Sequence, residues 1–397
     1  MIDLNILRHH PEIIKKSLES RGVKFNLDEL IRLDEERRLQ IKKIEDLRCQ
    51  QKQEKDHDQA KKIKEEIKKV ETRYKEQEEQ FQKLIVKIPN TPLEEVPIGK
   101  DENENVVVQE VGKKRDFKFQ PRDYLTLAEK LDFIDIKRAA KVAGSRFGYL
   151  KGEVAMLVFA LVNFALKTLI KEGFILVIPP VMLKPEMMKA MGYVERGGDE
   201  IYFLEKDNLY LIGTAEQSLG AMHADEIFEE KDLPKRYVGF STCFRREAGS
   251  YGKDTKGIIR VHQFDKLEMF SFCHPEKSKE EFKFLLSIQE KLMQAIEIPY
   301  QILQMCTGDL GDPAANKIDL EAWMPGQNQY RETHSCSNCT DFQARRLNVK
   351  YRNSQTRKLE FIHTLNGTAF AMPRMIVAII ENYQKKEGGF DWPEILK

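Results

Sequence analysis

The sequence predicts an α+β protein in which an antiparallel β-sheet flanked by helices follows an antiparallel two-helix arm. Three observations lead there. Between Asp34 and Lys83 stand 15 Lys/Arg and 14 Asp/Glu with no Gly or Pro, so the segment reads as long, highly charged helix. Ile88-Pro89-Asn90-Thr91-Pro92 ends that texture, because proline removes a helix donor and turns the preceding residue away from the helical region. From about Lys114 onward, short β-patterned runs alternate with a few helices and lack the regular βαβ rhythm of a parallel sheet.

The arm comes first, within a segment taken as residues 1–95. Ile63, Ile67, Val70, Tyr74, Phe81, Leu84 and Ile88 follow a 4-3 heptad, with Gln77 at the missing seam position. Leu30, Leu33, Ile41, Ile44 and Leu47 supply a second, less regular helix, and the two fold back on each other near Cys49 to Gln59. At 1.5 Å per residue this gives an arm of roughly 35–40 Å. Charge-rich helices also serve as dimerisation coiled coils or solvated spacers. What favours a phosphate-binding arm is Lys52, Lys55, Lys61, Lys62 and Lys64 around the tip.

The remainder, residues 96–397, carries the chemistry-bearing segments. The richest is FSTCFRREAGSYGKDTKGIIRVHQFDKLEMF, Phe240 to Phe270, where two strand-like runs flank a loop of glycines and short polar residues. A period of two puts Arg245 and Glu247 on one face of the first strand, and Arg260, His262, Lys266 and Glu268 on one face of the second. Arginines on a rigid sheet grip phosphate oxygens and the acids hold an ammonium or Mg²⁺; the competing reading is a solvent-facing sheet with cross-strand ion pairs. In LNGTAFAMPRMIVAIIENYQ, Pro373 suits the first turn of a helix and leaves Arg374 at its amino end, where charge and backbone donors favour an anion. In IDLEAWMPG, Asp319 and Glu321 share a strand face as candidate Mg²⁺ carboxylates.

Composition sets limits on class. Basic and acidic residues nearly cancel, 65 against 64, so any nucleic-acid surface has to be local. The amino terminus MIDLNILRHHPE lacks the basic-then-apolar pattern of a secretory signal. Val154 to Ile170 contains Asn163 and Lys167 and falls short of the roughly 20 apolar residues that span a bilayer, so it reads as core or dimer interface with no membrane anchor. Six scattered cysteines suit a reducing, cytoplasmic setting. Cys336-x-x-Cys339 near His334 has no second CxxC and Cys306 is distant, so structural zinc is not expected; His9, His10 and His223 read as ordinary histidines.

FRREAGSYGKDTKG and RVHQFDKLE, together with YLIGTAE around Thr214, RETHSCSNCTDFQARR from Arg331, and LNGTAFAMPR, resemble the signature motifs of the class II aminoacyl-tRNA synthetases, closest to the seryl-tRNA synthetase family. A helix followed by GFILVIPP, ending at Pro180, resembles that family's dimer-forming first motif, and the amino-terminal hairpin resembles its tRNA-binding arm. The resemblance covers nearly the whole chain and implies a class II synthetase-like sheet. It further implies that Thr214, Ala215, Glu216, Glu268 and Thr368 bind L-serine, and that Arg245, Arg246, Glu247, Val261, Glu332, Thr333, His334 and Ser335 hold ATP. Arg260 and Arg374 would grip the β- and γ-phosphates, Glu321 would bind the nucleotide's Mg²⁺, and Arg245, Arg260, Arg374 and Glu268 would carry catalysis. The implied reaction is formation of seryl-adenylate and pyrophosphate, then transfer of serine to tRNA(Ser) by a homodimer, with tRNA(Sec) a second candidate substrate. The arm looks short for the family and the chain ends soon after Trp392, so no carboxy-terminal extension is expected. Two further readings stand beside this one: an amino-acid ligase that charges a carrier protein, and a non-catalytic binding module.

Overall fold

The computed structural model describes every residue except 196, 197, 250, 251 and 253. Ser250, Tyr251 and Lys253 belong to the loop expected between the two strands of the FRxE segment, so that part of the expectation lies outside the described residues. The chain divides into two compact units, Met1–Thr91 and Pro92–Lys397.

In the first unit, Leu27–Gln53 and His57–Ile85 are helices of 27 and 29 residues that pair along their length, about 40 Å each at the α-helical rise. Asn26 caps the first through Glu29 N, and Asp56 caps the second through Asp58 N and Gln59 N, so three residues suffice for the turn. The seam is apolar at two places. Near the tip, Ile44, Leu47, Ile67 and Val70 bury one another with Ile63 and Tyr74. At the base, Leu30, Leu33, Phe81, Ile85 and Ile88 pack with Leu7, Ile14 and Leu18 of the short helices Leu4–His9 and Pro11–Ser20.

Between the two clusters the seam is polar. Buried Asp34 accepts from Arg8 Nε at 2.7 Å and from Arg37 Nη2 at 2.8 Å, while Arg37 Nη1 donates to Glu78 at 2.8 Å. Gln77, the odd member of the heptad, donates to Glu36 at 2.9 Å. Asp34→Ala leaves three guanidinium groups, those of Arg8, Arg37 and Arg38, without their shared carboxylate, and is expected to destabilise this unit by about 3 kcal/mol. Thermal unfolding followed by circular dichroism checks it, and an unchanged transition would show that the network contributes nothing.

The second unit is built on an eight-stranded sheet. Its strands are β1 (Val106–Val111), β2 (Ile175–Val177), β3 (Lys235–Phe244), β4 (Gln263–Cys273), β5 (Tyr300–Gln304), β6 (Asn316–Met324), β7 (Gln329–Asn338) and β8 (His363–Ala371). They lie in the order β1-β5-β6-β7-β8-β4-β3-β2, antiparallel throughout except for the parallel edge pair β3–β2. Alternation along β4 sorts the two faces: Leu267 and Met269 enter the main core, while Phe270 and Phe272 join a second cluster on the opposite side.

The main core is closed by the helices Gly152–Lys171, Ser278–Ala295 and Met372–Asn382. Gly152–Lys171 is long and apolar enough to cross a membrane by composition alone, yet Val154, Leu157, Leu161, Ala165 and Leu169 are buried in this core. Its other side leaves Met156 and Phe159 exposed, as are Ile175 and Leu176 of β2 and the following Ile178.

The strand faces expected around the FRxE segment need correction. Arg245 and Glu247 lie beyond the end of β3, and Arg260 and His262 precede β4. The pair splays because its backbone groups find other partners: Arg246 N donates to Glu200 O and His262 N to Arg146 O, leaving one last rung from Arg245 N to His262 O at 3.0 Å. Glu247 has φ +52°, which turns the chain out of the strand. Lys266 and Glu268 do lie in β4, both buried on one face.

Candidate active site

On the second-cluster side of the sheet is a cavity of about 490 Å³. Thr214 closes its floor as the N-cap of the helix Ala215–Ala221, its Oγ1 accepting from Glu216 N. That helix can settle on β3 because Gly239 faces it: a Cβ there would stand 2.8 Å from the Cβ of Ala215. The approach delivers Glu216 to the cavity wall and keeps Ala215 behind it, fully buried.

Glu216 accepts from Tyr193 Oη at 2.7 Å and from Gln343 Nε2 at 3.0 Å. Burial, then repulsion from Glu268, raises its carboxyl above the usual range. Glu268 stands opposite, with Lys266 Nζ at 2.5 Å and Thr368 Oγ1 at 3.4 Å. Two carboxylates, three hydroxyls and one ammonium thus gather at one end of the cavity.

The other end is cationic. Arg245 donates from Nε to Gly213 O, and its guanidinium lies 5.3 Å from the Phe264 ring centroid. Arg374 follows Pro373 in the first turn of Met372–Asn382, and its Nη1 contacts Glu332 at both the carbonyl, 3.0 Å, and the carboxylate, 2.9 Å. Burial works against the Glu332 anion, but Arg374 first, then Lys317 and Arg245, bring its carboxyl down to about 2. Val261, Glu247, Thr333 and Ser335 also line the cavity.

Besides Ala215, five expected site residues are placed away from this cavity: Arg246, Arg260, Asp319, Glu321 and His334. His334 alternates to the far face of β7 beside Phe370, and burial lowers its imidazole to about 3, so it stays neutral at physiological pH. A register shift explains why Glu332 and Thr333 both reach the cavity: Leu320 pairs with His334 and Glu321 with Glu332, leaving Thr333 as the extra residue. Glu321 itself accepts from Gln301 Nε2 at 2.6 Å and is absent from the cavity wall. Asp319 pairs with Lys317 at 3.1 Å. Arg246 is exposed near the Tyr202 ring, and Arg260 lines an adjoining cavity with Glu247 and Arg245, tied to Asp254 at 3.3 Å. The cysteines of CxxC are both buried, which pushes their thiols up, and among the described residues no group of three or more His, Cys, Asp or Glu could hold a metal ion.

Comparison with known proteins adds an independent line. A class II tRNA synthetase core domain (G, H, P, S and T) matches residues 202–383, and the seryl-tRNA synthetase N-terminal domain matches residues 1–92. The serine--tRNA ligases of Acidothermus cellulolyticus and Dictyoglomus turgidum are 45% and 44% identical over all of this chain and 97% of their own length. The chain belongs to the seryl-tRNA synthetase family. Among solved structures, the seryl-tRNA synthetase of Pyrococcus horikoshii, complexed with ATP, superposes with a TM-score of 0.94 at 41% identity, covering 100% of this chain and 97% of that one. The cytoplasmic serine-tRNA ligase of Naegleria fowleri, in complex with AMP, gives 0.90 at 36%, covering 100% and 96%.

For a seryl-tRNA synthetase family member, the sequence reading left several cavity residues unassigned. Asn366 lies inside the LNGT motif, Gln343, which donates to Glu216, lies inside RETHSCSNCTDFQARR, and Lys317 stands two residues before Asp319 on the same strand, so each carried a signal; Tyr193 carried none. Phe264 sits two residues before Lys266 on the same face, so strand alternation alone could have found it.

Proposed function

We propose that this chain activates L-serine with ATP and transfers it to the 3′ end of tRNA(Ser). The observation that carries the reading is one cavity whose carboxylate end, Glu216 and Glu268, faces a cationic end, Arg245 and Arg374, in a chain of the seryl-tRNA synthetase family. Serine's ammonium goes to Glu216 and its hydroxyl donates to Glu268, with Thr214 and Thr368 alongside. ATP lies toward Phe264, with Arg245 on the α-phosphate and Arg374 on the outer phosphates. Arg260 reaches those phosphates from the adjoining cavity by exchanging its Asp254 contact for them.

The serine carboxylate attacks the α-phosphorus in line and pyrophosphate leaves, so the protein acts by positioning and by stabilising charge on the transferring phosphoryl group. The terminal ribose hydroxyl of tRNA then attacks the seryl carbonyl and AMP leaves. A Mg²⁺ carried by ATP needs only one or two protein oxygens, and the ionised Glu332 carboxylate fits that requirement better than Glu321. When bound it neutralises charge on the departing pyrophosphate.

The reading extends to the arm and to assembly. Lys52, Lys55, Lys61, Lys62 and Lys64 are all exposed around the helical turn, and among the described residues none has a carboxylate within ion-pair distance, which suits them to tRNA phosphates. The exposed Met156, Phe159, Ile175, Leu176 and Ile178 form an apolar surface that supports a homodimer. tRNA(Sec) is a second candidate substrate for the same site, and six free cysteines fit a cytoplasmic setting.

Serine-dependent exchange of pyrophosphate into ATP, followed by charging of purified tRNA(Ser), tests the whole. Absence of exchange would leave a binding module, and exchange without charging would favour a carrier-protein ligase. Replacing the five tip lysines by alanine is expected to lower charging kcat/KM by about 10²-fold at moderate salt and to leave exchange unchanged, given the affinity carried by phosphate contacts.

A further inference from the structure

Lys266 is a buried ammonium in the middle of the amino-acid end of the cavity, and nothing in the reaction as described uses it. Its residue is 7% exposed, deeper than a lysine ordinarily sits without a structural or chemical reason. Two contacts account for two of its three donors: Glu268 Oε2 at 2.5 Å and Thr214 Oγ1 at 3.2 Å. Both partners line the same cavity, and so does Lys266.

The two contacts tie together two separate supports. Glu268 stands on β4 two residues further along, on the same face as Lys266. Thr214 is the N-cap whose Oγ1 also receives Glu216 N at 3.3 Å, so the ammonium is one hydroxyl away from the backbone of the second carboxylate. Glu216 has its own donors in Tyr193 and Gln343, neither of them charged. The amino-acid end therefore holds two carboxylates and a single hydrogen-bonded cation. Without Lys266 the Glu268 carboxylate would keep the Thr368 hydroxyl, at 3.4 Å, and lose its charged donor.

We propose that Lys266 is a positioning residue for amino-acid recognition: its ammonium holds the Glu268 carboxylate in place and, through Thr214, fixes the separation between Glu268 and Glu216. With Lys266 in place the two carboxylates and the two ammonium groups, the lysine's and the substrate's, balance in charge. Glu268 is then committed to the substrate hydroxyl and Glu216 to the substrate ammonium, so the two ends of serine are sorted between chemically identical side chains.

This inference rests on the serine-activating reading, and the experiment separates the two. In ATP–pyrophosphate exchange, K266M is expected to raise the KM for serine roughly 10- to 100-fold, the range for losing a charge-assisted hydrogen bond in a buried site, and to shift the KM for ATP less than about threefold. Because Lys266 acts through Glu268, K266M and E268Q together should cost much less than the product of their separate effects. Thermal unfolding of K266M is read in parallel, since a lysine lost from a core could act on folding alone. The proposal is overturned if K266M keeps the wild-type serine KM, if serine and ATP KM rise equally with a fall in Tm, or if the two substitutions multiply independently. Failure of the underlying reading looks different: the unaltered chain would then show no serine-dependent exchange at all.

Discussion

Replacing Arg374 by alanine is expected to lower the rate of serine-dependent pyrophosphate exchange by about 10²–10³-fold, the effect of removing one preorganised donor from a site where charge develops. Three features concentrate the effect on this residue. It stands in the first turn of Met372–Asn382, where backbone N–H groups point outward and already favour an anion. Its guanidinium is held in place by two contacts to Glu332, so little side-chain freedom remains to be lost when phosphate binds. It also dominates the field that keeps Glu332 ionised, so its loss weakens the carboxylate proposed to meet Mg²⁺. Arg374→Lys retains charge without the planar fork and should recover only part of the rate. Exchange kinetics measured beside thermal unfolding decide the matter: a loss under tenfold in a folded protein would place the phosphate grip elsewhere.

Glu216→Gln should be comparably damaging but in a different parameter, lowering kcat/KM for serine by roughly 10²–10³-fold as expected when one partner of a buried charge pair is removed. The isosteric change fails for two reasons. It removes the charge that meets the substrate ammonium. It also puts an amide, with one donor end, between Tyr193 Oη and Gln343 Nε2, both of which donate to Glu216 in the native arrangement. Whichever way the amide turns, one of these contacts becomes donor against donor unless the neighbour rotates. Steady-state exchange at varied serine checks this, and a variant that saturates with serine at the wild-type concentration would assign the ammonium to another group.

Much of this architecture was legible in the residues, and the misses share a cause. The arm was readable because heptad spacing over two long helices is a sustained signal, and the turn at Glu54 to Asp56 falls inside the expected window. Lys266 and Glu268 kept their predicted face because the pairing of β4 with β3 runs unbroken past them and the extra residue in its pairing with β8, Ala369, lies on β8. Arg245, Glu247, Arg260 and His262 did not, since strand pairing gives way to bonds with Glu200 and Arg146, residues remote in sequence. His334 was grouped with its neighbours by motif, yet a single extra residue at Thr333 decides which of them face inward. Local periodicity reports a strand's faces only while its ladder runs unbroken.

The polar node of the arm has a mechanical consequence. Asp34, Arg37 and Glu78 interlock at one height, between an inner and an outer greasy cluster that would each tolerate slippage. Sliding one helix by a turn, about 5.4 Å, would strand these charges against hydrocarbon, so the paired rods behave as a bolted strut instead of a telescoping one. The lysines at the far end are thereby carried at a set distance from the base of the arm, so that if they meet tRNA phosphates as proposed, their reach is fixed before any RNA arrives.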